Sequence, residues 1–444
     1  MDKELLFLVG SGVVVLFISF IKPDYALALT IGSTFFSQPR PQVFGAFVSL
    51  TDVLTVSLLL AWLFRSMVHQ RITIYRSGLE TPLIVLISLY VVSTTFAIDP
   101  IRALIKTVQV TEWILLLYLA LNYTNGEQTF HIVFRTIIGI GLVEVALAVY
   151  QVAHEGYFRR VMGTLGNDLG WYMFILMLLV FVHLTRCTKV KDRLFWGGTG
   201  VLFLFGFLLT QVRELWVSVL IALFVLGLLE VFVYRRPRRL IRFMLAGTVG
   251  ASGALLLLLP LMGSYLALLE NRGLDTLYTR LGQWGAALSI FAVHPLVGVG
   301  PGGFGQVWAS FIPQRYYPIV EAYGLLGNPE IDAHSFLFTR LAEIGLLGTA
   351  AAVWVLWRLT VLTVQLNKLS LPRTAQSIAI TAGVLTLVAL LTTFYSDFFQ
   401  IKLFWLLAGL GLSTRTIASG SVLSKKTMAM QPVVDRRRAC NFGH

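Results

Sequence analysis

The chain has 444 residues, of which 57% are hydrophobic, with a mean hydropathy of +0.78 and a formal net charge of +13. Soluble domains are about half apolar or less, so this composition excludes an ordinary water-soluble fold. Segments of about ten residues with alternating polarity are missing, which excludes a β-barrel and leaves an all-α integral membrane protein whose backbone bonds to itself in lipid.

Apolar runs of spanning length predict about twelve transmembrane helices, at residues 5–21, 43–64, 79–97, 104–122, 131–151, 169–186, 194–211, 213–234, 241–262, 334–357, 375–395 and 398–414. Segment 24–37 (DYALALTIGSTFFS) is short for a span and reads as a re-entrant or interfacial piece. The opening Met-Asp-Lys-Glu lacks the positive region of a signal peptide, so the first run reads as a retained span. The organisation expected is helices 1–9 in residues 1–262, a large outer loop at 263–333, helices 10–12 in 334–415, and a polar tail at 416–444.

Positive charge sets the orientation. Arg65, Arg71 and Arg76 form one cluster, Arg186 to Arg193 a second, Arg235 to Arg242 a third, and Arg358 to Arg373 a fourth, followed by the basic tail. With segment 24–37 left out, all of them fall on the cytoplasmic side, which places both termini there and residues 263–333 outside. If segment 24–37 spans, only the N-terminus moves outside. No soluble face gathers these residues for nucleic acid. Cys187 and Cys440 stand far apart, outside any CxxC spacing, so neither a disulfide framework nor a zinc site is expected.

The outer segments break the charge rule, because Arg159, Arg160, Arg213, Arg272, Arg280 and Arg315 lie where arginine is depleted. An arginine at a membrane boundary is costly, which gives weight to anion binding. Arg213 neighbours Glu214 and would, as a plain boundary residue, pair with it or reach to the headgroups. With Arg280 on the same side, two guanidinium forks are available for the oxygens of a diphosphate.

Within the outer loop, Leu277, Leu281, Trp284, Leu288 and Phe291 recur at helical spacing, while Arg280, Gln283 and Ala287 form another stripe. This predicts an amphipathic helix lying against the membrane and ended by His294-Pro295. Gly298 to Gly305 (GVGPGGFG) reads as a tight turn that shapes the site. A phosphate loop would need a following Lys-Ser or Lys-Thr and a preceding strand.

His334 opens DAHSFLFTRLAEIGLLG. A histidine at a helix start is commonly a cap or packing residue, but its place on the arginine side makes it a candidate general base, since neutral imidazole accepts a proton near pH 7. Gly345-x-x-Gly348 behind it would let another helix approach closely. Asp168, Glu321, Glu330, Asp332 and Asp397 share that side without a DxD-like pair. A metal-free site is therefore expected, with arginines as the counter-charge.

In order along the chain, RVMGTLGNDLGWYMFILM, QVRELWVSVL, TRLGQW with HPLVGVGPGGF, and His334-Ser335 followed after nine residues by Gly345-x-x-Gly348 resemble the O-antigen ligase and polymerase superfamily. Val212 stands where the family usually has serine. The resemblance covers roughly residues 155–350 by motif. It implies a GT-C-like membrane glycosyltransferase that needs no cofactor and uses an undecaprenyl diphosphate-linked glycan as donor. For a ligase the acceptor is a sugar hydroxyl of lipid A-core, for a polymerase a second lipid-linked glycan, and in both the site faces the periplasm from the bacterial inner membrane. His334, Arg213 and Arg280 are then the expected catalytic residues, and Arg159, Arg160, Asn167, Trp284, Gly300 and Gly302 the expected substrate-binding ones. A small-anion transporter would also place arginines around an aqueous cavity, but the sequence carries no inverted repeat.

Overall fold

The computed structural model describes residues 3–36, 41–43, 46–68, 70, 74–124, 126–155, 161–233, 262–329, 331–366 and 371–429. Its first half holds α1 (Lys3–Ile21), α2 (Pro23–Ser33), α3 (Leu50–Val68), α4 (Glu80–Thr95), α5 (Pro100–Tyr123), α6 (Glu127–Glu155), α7 (Leu169–Leu184), α8 (Val190–Leu209) and α9 (Arg213–Leu228). The second half holds α10 (Met262–Val293), α11 (Phe304–Phe311), α12 (Tyr317–Ala322), α13 (Phe336–Leu366), α14 (Arg373–Leu391) and α15 (Lys402–Ala429). A two-residue hairpin, Gln42–Val43 against Ala46–Phe47, precedes α3 and delays its start relative to the predicted span.

Among the described residues, 8 helices are long and apolar enough to cross a bilayer: α1, α3, α5, α6, α8, α9 with its π-turn extension, α13 and α14. α4 and α7 are apolar but shorter, at 16 residues each. The chain is thus a multi-pass helical membrane protein. The predicted span at 241–262 lies outside the described residues, apart from its last one.

Segment 24–37 proves to be no surface piece. Gly12 of α1 backs onto Val53 and Ser57 of α3, and farther along Arg65 donates to the Ser19 carbonyl at 3.5 Å, so α1 and α3 run parallel. α2 must therefore carry the chain back between them. It does so beside α6, from a Thr129–Asp24 hydrogen bond of 2.6 Å at one end, past Gly32 against Thr136 and Ile140, to a Thr164 hydroxyl on the Phe35 carbonyl at the other. Eleven residues cover only about 16 Å, too little for a lipid-facing span. Ala26, Leu27 and Ile31 are fully buried, however, and all of α2 but the Tyr25 and Leu29 edge packs on protein, where the bilayer's length requirement lapses. Of the two arrangements open to the sequence, this packing fits the one in which segment 24–37 crosses and the N-terminus moves, because α1 begins at the end of the bundle opposite Arg65.

Two cores hold the molecule. The large one runs through α1 to α9 and α13 to α15, with Phe174, Phe203, Phe336, Phe404 and Trp405 fully enclosed. The smaller one joins Ala286, Ala287 and Ile290 of α10 to Phe304 and Trp308 of α11 and Val320 of α12, so the expected outer loop is a folded cap. The α10 stripes divide as the spacing predicts, but their roles differ. The stripe with Gln283 and Ala287 packs inward, because small residues let Tyr316 and Pro313 close on Gly282 and Gly285, while Leu277 and Leu288 stay about half exposed. The cap is anchored at the corner before α5. There Asp99 caps the Arg102 amide at 3.0 Å, with Pro100 as first helical residue, and accepts Gln306 of α11 at 2.9 Å. Those two hydrogen bonds hold the Asp99 carboxyl below the usual carboxylate range.

Candidate active site

The site is built on a break in α13. Gly345 adopts φ +65°, in the left-handed region, which interrupts the helical ladder and frees the Ala342 and Glu343 carbonyls. The amides of Val299 and Gly300 take them, both at 2.9 Å, and Leu346 donates to the Pro295 carbonyl at 2.8 Å. Ser93 of α4 completes the seam, its hydroxyl lying 2.7 Å from the Val297 carbonyl. Gly298, at φ +68°, lies so close that a Cβ would sit 2.6 Å from the Ala342 carbonyl oxygen. The Gly345-x-x-Gly348 motif thus receives the glycine turn and not a neighbouring helix as expected, since only a turn can present its amides to the freed carbonyls. Gly302, at φ +71°, lies against the Lys106 side chain.

This seam fixes the upper segment of α13, which starts at Phe336, two residues after His334. Ser335 caps it, accepting the Phe338 amide at 3.2 Å and donating to the Thr393 carbonyl at 3.1 Å. The Phe336 amide reaches the Ser396 carbonyl at 3.2 Å. His334 itself sits at φ +48°, a conformation that costs a non-glycine residue about 1–3 kcal/mol and persists only where the surroundings impose it. Its side chain is 53% exposed; its amide donates to Asp332 Oδ1 at 2.8 Å, and Nδ1 lies 3.4 Å from the same oxygen.

α10 ties this turn to the start of α9. Arg280 forms a half-buried ion pair with Glu214, and one turn later the Trp284 indole donates to the Ala333 carbonyl at 3.0 Å and stacks on Phe338. Arg280, Trp284 and His334 therefore belong to one neighbourhood, together with the backbone of Arg213 at the first turn of α9. The side chains of Arg213 and Asn167 lie outside the described residues, as do Arg159 and Arg160 entirely. Gly300 and Gly302 lie on the seam beneath.

The sequence reading missed the cluster under His334. Arg340, one turn into α13, is 5% exposed and binds Glu343 at 3.3 Å and Asp397 at 3.1 Å. Gln400 bridges Asp397 at 2.9 Å to Asp332 at 3.2 Å. Burial pushes the Asp397 carboxyl above its usual range, against the pull of Arg340 and Gln400. Beside them is a cavity of about 60 Å³ lined also by Tyr90, Arg102, Lys106, Trp113 and Gly302. Tyr90 and Arg340 line it, and their Oη and Nε are buried without a hydrogen-bond partner; the cavity has room for several waters at about 10–15 Å³ each. The legible signal was Arg340-x-x-Glu343, an opposite-charge pair at i, i+3 inside an otherwise apolar span. Arg340→Ala strands two buried carboxylates, and thermal unfolding in detergent should show a loss of about 3–5 kcal/mol. Among the described residues no group of three His, Cys, Asp or Glu side chains is placed to hold a metal ion.

Fold and site together define a multi-pass membrane protein with a polar centre enclosed between its helices and a folded cap. Residues 198–353 match the O-antigen ligase family model, which supports the O-antigen ligase and polymerase superfamily and, with it, a ligase or polymerase type function on lipid-linked glycans. The matched stretch contains Arg213, Arg280, Trp284, Gly300, Gly302 and His334. No curated protein matches the chain.

Proposed function

We propose that the protein is an O-antigen ligase that transfers a glycan from undecaprenyl diphosphate to a sugar hydroxyl of lipid A-core, at the periplasmic face of the bacterial inner membrane. With α2 and segment 241–262 counted as crossings, its GT-C-like bundle crosses the bilayer an odd number of times, one more than the twelve expected. The N-terminus then lies outside while every basic cluster stays cytoplasmic. The observation that carries the proposal is the tie made by α10, which joins Arg280 and the α9 start to the His334 turn through Glu214 and Trp284.

In the proposed step His334 Nε2 removes the proton from the acceptor hydroxyl, and that oxygen attacks the anomeric carbon from the face opposite the diphosphate. The bond from that carbon to the diphosphate oxygen breaks and its electron pair leaves with the diphosphate, which inverts the configuration. The imidazolium then releases its proton to the leaving phosphate or to water. Arg280 and Arg213 stabilise the developing charge, Arg159 and Arg160 extend the clamp, Asn167 and Trp284 border the substrates, and Gly300 and Gly302 hold the floor. Guanidinium supplies the counter-charge, so the step proceeds without a metal ion.

Arg280→Ala should lower turnover about a hundredfold or more, the equivalent of roughly 3–4 kcal/mol for one lost charged donor. Arg280→Lys should restore little, because a point charge does not reproduce the fork. Wild-type rates in either variant would remove Arg280 from the clamp. The function is tested by reconstituting the purified protein with undecaprenyl diphosphate-linked glycan and lipid A-core, with chelator present. Glycan on lipid A-core supports the ligase, chain growth on the donor alone makes it a polymerase, and no transfer despite bound donor rejects both.

A further inference from the structure

We infer that Asp332 is a positioning residue for His334, which fixes the imidazole tautomer and stabilises the imidazolium formed during transfer; the inference rests on the proposed role of His334 as base. The geometry is local. Asp332 Oδ1 accepts the His334 amide at 2.8 Å and lies 3.4 Å from Nδ1, an ion-pair distance that a small rotation of the imidazole closes to a hydrogen bond; with its proton on Nδ1 beside the carboxylate, the ring leaves the lone pair on Nε2 for the substrate hydroxyl. The other oxygen, Oδ2, is occupied by the Gln400 amide at 3.2 Å. That contact stops the carboxylate from rotating away, and Gln400 is in turn held by Asp397.

The charge arrangement agrees with this role. Asp397 is paired with Arg340, and Glu343 lies between Arg340 and Lys106, which leaves Asp332 as the carboxylate turned toward the imidazole. Asp332 is itself about one-third exposed and His334 about half, so the pair sits at the mouth of the site with its support buried beneath. The left-handed backbone at His334 serves the same end: it brings Nδ1 back over the residue two positions earlier, which an extended backbone would point away from. A capping role alone would need only the amide contact.

The test compares Asp332→Asn, Asp332→Ser, Asp332→Glu and His334→Ala in the reconstituted transfer assay, with a thermal melt of each variant. Asparagine and serine both keep an acceptor for the His334 amide and remove the charge. The expected result is a fall in kcat of about 100-fold in Asp332→Asn and Asp332→Ser, less than the ~10⁴-fold of the buried orienting carboxylate in hydrolase triads because Asp332 is about one-third exposed. KM for donor and acceptor should stay within about twofold, with unchanged melting, and Asp332→Glu should recover at least about a tenth of the wild-type kcat. Wild-type kcat in Asp332→Asn or Asp332→Ser beside an inactive His334→Ala overturns the positioning role and leaves the base in place. So does a kcat loss that tracks a lowered melting temperature in both variants. An active His334→Ala instead overturns the base, and the positioning role falls with it.

Discussion

Replacing His334 is expected to reduce transfer by about 10²–10⁴-fold, the usual contribution of a positioned general base. Asparagine is the informative substitution. It adopts the left-handed backbone found at φ +48° more readily than alanine, so the turn before α13 should survive while the imidazole is lost. Binding of the lipid-linked donor should remain near wild type, since the proposed clamp draws on arginines from α9, α10 and the segment after α6. His334→Asn and His334→Ala should therefore both fail in kcat with little change in donor affinity, read from single-turnover rates and donor binding on the same preparations. Turnover within about threefold of wild type in His334→Asn would reassign the proton transfer to another group and end the proposed mechanism.

The second large effect is expected at the seam. Gly298 faces the backbone of Ala342 and Glu343, Gly345 faces that of Leu296 and Val297, and a Cβ at Gly345 would lie 2.5 Å from the Val297 amide nitrogen. No side-chain rotation relieves an overlap with backbone, so Gly298→Ala or Gly345→Ala should push the glycine turn off α13. The variant would lose the hydrogen bonds of Val299, Gly300 and Leu346, at about 1 kcal/mol each. It would also gain the strain of an alanine at positive φ, about 1–2 kcal/mol more. A destabilisation of roughly 4 kcal/mol or more should appear as a lowered thermal midpoint in detergent and a loss of activity. Gly324, also at positive φ but facing open space, is the control: alanine there should cost only the backbone strain. Equal behaviour of the three variants would mean that the seam does not hold the upper segment of α13.

Much of this was legible in the sequence because lipid enforces simple rules. Eight of the expected spans followed from apolar length alone, and α10 ended where His294-Pro295 required. The segment that misled was α2. Its brevity argued against a crossing, and the rule that links length to thickness applies to helices facing lipid, whereas Leu27 and Ile31 face only protein. Arg280, Trp284 and His334 stood out because each carries polarity to a place where it is costly. Their proximity was not readable, since it depends on the Arg280–Glu214 pair and on the Trp284 indole reaching the Ala333 carbonyl across a long stretch of chain. Arg340, Glu343, Asp397 and Gln400 escaped for a related reason. Each is a single polar residue within or beside an apolar run, and only the fold shows that the four converge below the His334 turn.

The two cores meet along the upper segment of α13, where Phe336 and Ile344 belong to the membrane bundle and Phe338 and Ala342 to the cap. Such a shared wall makes the molecule modular for evolution. Under the proposed function, the outward surfaces of α11 and α12 can diversify to suit different sugars while the helices beneath stay unchanged, because the cap joins the bundle at a few fixed points, the seam, the Asp99–Gln306 hydrogen bond and the Arg280–Glu214 pair. The wall itself is bound by both sides at once, so a lineage that changes its glycan should vary in the cap and hold residues 334–345 nearly constant.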